Sequence, residues 1–113
     1  MTCYTQKNNQ GLLNISDNVF NQIAKSTLDE LLKNDLKGLF SLKNGKKTCK
    51  ILTTIDKKNH IQVNIEVYLM TGCDANSVTN RIQKEVYDDI YDVCEISSVK
   101  VNVIVLSFLN EKA

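Results

Sequence analysis

The chain has 113 residues, of which 42% are hydrophobic and 24% charged, and its net charge is +1. That is the composition of one folded domain with a modest core, which sets wholesale disorder aside. The near-neutral charge offers no global field for nucleic acid, and no apolar run reaches the roughly 18 residues that a membrane span requires.

In chain order, residues 1–10 (MTCYTQKNNQ) are polar without periodicity and predict a flexible N-terminal tail. They carry no apolar core of a signal peptide, so the expected location is the cytoplasm. GLLNIS, from Gly11 to Ser16, predicts a short strand with Leu13 and Ile15 on one face. Ser16 is suited to cap the next helix through its hydroxyl, and Ile15 and Phe20 stand at hydrophobic-staple spacing. Val19, Phe20, Ile23, Ala24, Thr27, Leu28 and Leu31 recur at three and four residues, predicting a helix from Asp17 to about Lys33. Asn34, Asp35 and Gly38 end it.

The next stretch, GLFSLKNGKKTCKILTTI, reads as strands around an Asn44-Gly45 turn, because both residues tolerate positive φ. After a second turn at DKKN, the run HIQVNIEVYL alternates. Ile61, Val63, Ile65, Val67 and Leu69 face one way, while Gln62, Asn64, Glu66 and Tyr68 face the other. That pattern predicts an antiparallel sheet with one wet face. Asp74 is placed to cap a second helix whose core stripe is Val78, Ile82, Val86, Ile90 and Val93. Val99, Val101, Val103 and Val105 alternate along a last strand. The expected fold is α+β: a mostly antiparallel sheet with two helices packed on one face, in the order β-α-β-β-(β)-α-β. The expected organisation is a single domain over 11–109, followed by a short C-terminal tail at 110–113.

Cys3, Cys49, Cys73 and Cys94 are widely and irregularly spaced, without a C-x-x-C, and His60 is the one histidine. Such thiols read as reduced structural residues, so neither a metal nor another cofactor is expected.

The spacing of several segments resembles the alkaline shock protein family, also called the envelope stress response family, of Gram-positive-type bacteria. The family's opening strand, Gly-x-Ile-x-Ile-Ser, and its Val-x-x-Ile-Ala helix are matched here by Gly11, Leu13, Ile15, Ser16, Val19, Ile23 and Ala24. Gly38-Leu39 stands at the family's Val-x-Gly turn, and IQVNIEVYLMTG at its alternating strand ending in Tyr-Gly. The closing helix and strand are matched by Val78, Ile82, Gln83, Val86, Val99, Val101, Asn102, Val103 and Val105. The likeness spans about residues 11 to 109. It departs at CEISS, where the family has a Thr-Gly turn. The resemblance implies a small, non-enzymatic cytosolic protein of the envelope stress response, tied to the membrane through a separate anchor protein, and no catalytic residues.

Three features of the residues themselves bear on function. From Lys43 to Lys58 the chain has net charge +5, from Lys43, Lys46, Lys47, Lys50, Lys57 and Lys58 against Asp56. From Asp74 to Glu95 it has net charge −4. The lysines suit an anionic surface, such as lipid headgroups at roughly 1 kcal/mol per lysine. A solvated hairpin is the simpler alternative. RNA is another reading, opposed by the lack of aromatics among the lysines. Tyr87 and Tyr91, four residues apart, point largely outward from the helix as interface residues or as a surface pair. The last strand turns apolar on its second face at Ile104, Leu106 and Phe108, which predicts a partner such as another copy, unless the N-terminal tail or the first helix covers them.

The expected function is therefore a non-enzymatic scaffold that forms a homo-oligomer and docks to a membrane-anchored protein. A small RNA-binding module, with the lysine hairpin as its contact, is the alternative. A cysteine-using enzyme or accessory subunit would need an exposed thiol of low pKa.

Overall fold

The computed structural model describes residues 3–110. Its elements are β1 (Cys3–Asn8), β2 (Gly11–Ser16), α1 (Asp17–Lys33), β3 (Phe40–Ser41), β4 (Lys43–Asn44), β5 (Lys47–Thr48), β6 (Ile51–Ile55), β7 (Ile61–Met70), α2 (Ala75–Cys94) and β8 (Val99–Leu109). The fold is α+β with mostly antiparallel pairing and two helices.

β7 is the centre of the main sheet. Ile61, Val63, Ile65, Val67 and Leu69 are all buried, as the alternation predicts, but Tyr68, expected on the wet face, is buried too. β8 lines one edge of β7 from Ile61↔Val99 to Met70↔Leu109. The other edge is shared end to end by β6, opposite Ile61 to Ile65, and by β3, opposite Tyr68 and Leu69. β7 and β8 are parallel, because α2 carries the chain back between them as a crossover helix. Among the described residues this parallel pair is the one departure from antiparallel pairing.

The helices cover the inner face. α1 buries Phe20, Ala24, Thr27, Leu28 and Leu31, and α2 buries Val78, Ile82, Val86 and Ile90. Val93, expected in that stripe, is 67% exposed. It borders a hollow of about 320 Å³ between the helices, lined also by Val19 and Ile23, so no neighbour closes over it. Two side-chain bonds fix the layers. Thr53 Oγ1 donates to Asn21 Oδ1 at 2.7 Å, joining β6 to α1, and the Thr27 hydroxyl lies 2.6 Å from Asp89 Oδ2, joining α1 to α2.

The caps differ. The Asp74 side chain accepts from the Ser77 N–H at 3.2 Å, as expected. Ser16 is the N-cap of α1 in extended conformation, but its hydroxyl makes no cap bond. α2 ends on Glu95 with φ 57°, the left-handed conformation that glycine favours, and its N–H reaches Tyr91 O at 2.7 Å.

Other sequence expectations change as well. Cys3–Asn8 is not a loose tail: it forms β1, paired antiparallel with β2 from Cys3↔Ser16 to Asn8↔Gly11. The pairing makes Lys7 and Gln6 the partners of Leu12 and Leu13. The hairpin stands off the body, and residues 5–14 are exposed. Asn59 clamps its base, donating to Thr5 O at 2.8 Å and accepting from Thr5 N–H at 3.2 Å. Second, the lysine hairpin turns on Gly45-Lys46, with Asn44 paired to Lys47, and of its two turn residues only Gly45 has positive φ. Third, β8 contains a bulge, described below. Of the expected C-terminal tail, residues 111–113 lie outside the described residues.

Candidate functional site

β8 is an edge strand: among the described residues it pairs with β7 alone. The Ile61 N–H donates to Ser98 O, so residue 98 faces β7, and alternation turns the backbone groups of Val99, Val101, Val103 and Val105 to the open edge. One of these groups is already occupied. Gln83 Nε2, from α2, donates to Val101 O at 3.2 Å. This bond locates α2 over the rim of the sheet, and Gln83, Tyr87 and Tyr91 succeed one another at four-residue spacing along that side.

The bulge decides how the apolar residues of β8 are presented. Val67 pairs with Val105, but Tyr68 pairs with Ser107. The extra residue, Leu106, breaks the alternation. Ile104, paired with Glu66, lies on the outer face of the sheet. Phe108, paired with Leu69, lies on the helix-side face. Ile104, Leu106 and Phe108 therefore do not form one face. They surround the strand's second half, at 45%, 44% and 52% exposure. Between Val101 and Leu109 the strand carries no charge, proline or glycine. Native edges are commonly protected by such residues.

The two tyrosines differ. Tyr87 is half-buried against the core, and its hydroxyl donates to Ser97 O at 3.2 Å. Tyr91 is 49% exposed. With Asp88 and Asp92 they line a shallow hollow of about 350 Å³. Asp88 accepts from Lys84 at 2.7 Å.

The six lysines separate into two groups. Lys43, Lys46, Lys47 and Lys50 sit on or beside the β4–β5 hairpin, whose base is closed by Cys49 N–H to Leu42 O at 2.9 Å. Lys57 and Lys58 occupy the turn at the far end of β6, roughly 20 Å away along the strand. All six are exposed, and among the described residues none joins an ion pair. His60, in the same turn, is exposed with Nδ1 3.2 Å from Asp56 Oδ2. Asp56 also accepts from the backbone N–H groups of His60 and Lys58, and the His60 N–H bond is the chief cause that holds its pKa below the usual carboxylate value.

The other open edge belongs to β6. Glu66 N–H donates to Lys50 O and Asp56 N–H to His60 O, so Ile51, Thr53 and Ile55 turn their backbone groups away from β7. Between this edge and α1 runs an open groove of about 600 Å³, lined among others by Asn18, Gln22, Lys25, Cys49 and Ile51. Sequence reading missed this edge and the role of Gln83. The available signal was the spacing of Gln83 one helical step before Tyr87.

All four cysteines are partly buried and unpaired. Burial raises the pKa of Cys94, and burial together with the Glu66 carboxylate raises that of Cys49, so both are poorer nucleophiles at neutral pH. Among the described residues no three His, Cys, Asp or Glu side chains are grouped to hold a metal ion, and no helix is long and apolar enough to cross a membrane. No protein-family model matches the chain, and a comparison with curated proteins returns no relative.

Proposed function

We propose that this protein is a non-enzymatic scaffold that works by associating with copies of itself and by docking to a membrane-anchored partner at the cytoplasmic side of the cell envelope. The observation that carries this reading is the second half of β8: an uncharged strand whose outer edge meets no further strand among the described residues, with Ile104, Leu106 and Phe108 exposed around it. Burying such an edge satisfies backbone groups and removes apolar surface from water together. The raised thiol pKa values and the absence of a metal-ligand group among the described residues lend no support to a catalytic alternative. The spacing shared with the alkaline shock family points the same way and supplies the envelope setting.

The hairpin lysines, exposed and unpaired, suit the acidic surface of the docking partner or of the lipid beside it. RNA finds less to hold, since no aromatic side chain lies on β4, β5 or the turn between them. Light scattering after size exclusion tests the core of this reading: a mass above the 12.8 kDa monomer supports it, and a monomer at every concentration contradicts it.

A further inference from the structure

The second half of β8 is built to fit itself. Its free outward backbone groups are those of Val103 and Val105, since the carbonyl of Val101 already accepts from Gln83 at 3.2 Å. Counted along β7, Ile104 stands at Glu66, Val101 three positions to one side at Val63, and Phe108 three positions to the other at Leu69. Ile104 and Phe108 are exposed on opposite faces of the sheet.

The two open edges differ in what pairing would bury. Along β8 no charge stands from Val101 to Leu109. α2 descends beside this edge: Gln83 is held at Val101, and one turn on the Tyr87 hydroxyl donates to Ser97 O at 3.2 Å. That flank presents Gln83, Tyr87 and Tyr91, and the neighbouring Asp88 is paired with Lys84. Along β6, by contrast, the groove is lined by Lys25, Asp29, Glu30 and Lys33, which a strand laid there would take out of water.

We propose that two copies of this chain pair through β8 about a two-fold axis at Ile104, with Val103 of each copy opposite Val105 of the other. The inference rests on the self-association reading above and specifies its symmetry and register. The strands run antiparallel, so the axis stands perpendicular to the sheet, and all helices lie on one face of a sheet continuous through both copies. Val103 and Val105 exchange backbone hydrogen bonds with their counterparts, and the ladder stops where Gln83 occupies Val101. A ladder centred on Val103 would need that carbonyl.

This register gives the apolar side chains of both faces a partner. Ile104 meets Ile104 of the second copy on the outer face, in the closer of the two kinds of antiparallel pair. Phe108, three positions past the axis on the helix-side face, comes level with Val101 of the second copy, beside the Gln83–Tyr87 flank of its α2. The bulge at Leu106 is what turns Phe108 to that face. Because the patch meets itself, growth ends at a dimer.

The test is light scattering after size exclusion on the full chain, with circular dichroism as the check on folding. Wild type, Ile104→Lys, Ile104→Glu and an equal mixture of the two variants are compared. Wild type is expected as a dimer. A two-fold contact sets residue 104 against itself, so each variant alone meets its own charge and runs as a folded monomer, and the mixture regains the dimer. Single variants that stay dimeric, a mixture that stays monomeric, or a wild type larger than a dimer shows that pairing about Ile104 is wrong while self-association stands. A monomeric wild type removes both. Ile104→Cys gives a reading free of any added charge. Directly opposed Cα atoms about 4.5 Å apart are within disulfide reach, so mild oxidation links this variant, and not wild type, into a covalent dimer. An Ile104→Cys protein that remains uncrosslinked while wild type is dimeric contradicts the register.

Discussion

Glu95 shows how one residue can carry a cost that its neighbours hide. A left-handed conformation costs a residue with a Cβ roughly 1–2 kcal/mol, part of which glycine gives back as greater freedom in the unfolded chain. Glu95 takes that conformation to end α2 before Ile96 is buried. Glu95→Gly is therefore expected to stabilise the protein by about 0.5–1 kcal/mol, read as a higher urea midpoint with an unchanged slope. The cysteines make the opposite point. Burial favours the neutral thiol, so the pKa values of Cys49 and Cys94 are raised and little thiolate forms at neutral pH. Labelling of these two thiols in the folded protein should lag behind the denatured chain and should accelerate only at a higher pH than it does there. A Cys49 that labels fastest of the four near neutral pH would reopen the thiol-enzyme reading.

Among the elements, the β1–β2 hairpin is the least supported. A two-stranded hairpin standing alone is marginal in water, and this one is tied at its base by the two hydrogen bonds of Asn59. Asn59 has φ 63°, so Asn59→Gly keeps the backbone comfortable and removes only the clamp. Each bond is worth about 1 kcal/mol net. Amide exchange across β1 and β2 should accelerate several-fold in that variant while β7 stays protected; unchanged exchange would mean that the hairpin is held by something else. The same elements show what a sequence can and cannot reveal. β7 and both helices were legible because their burial is periodic, and period is what sequence displays. β1 was not, since Thr5, Gln6 and Lys7 are exposed on both faces and nothing apolar alternates. The bulge at Leu106 was hidden because Ile104, Leu106 and Phe108 keep a period of two in sequence, whereas the ladder skips a residue in space. The lysines read as one patch only because β6 is short in sequence; extended, it separates them.

For the whole molecule, the deciding features are polarity and openness. The described chain measures 60 × 25 × 20 Å, with a core between one sheet face and two helices, and neither long edge of that sheet is closed. The segment from Lys43 to Lys58 is basic and the segment from Asp74 to Glu95 acidic, a contrast that near-neutral total charge conceals. Such a molecule has surfaces to share. The most direct measurement of this account is the solution mass of wild type beside Leu106→Lys and Ile104→Lys, by light scattering after size exclusion, with circular dichroism run on the same fractions. The account predicts a wild-type mass of two copies or more and a folded monomer for at least one variant, since both side chains are about half exposed and a lysine there leaves the core untouched. A monomeric wild type, or variants that keep the wild-type mass while folded, would contradict it.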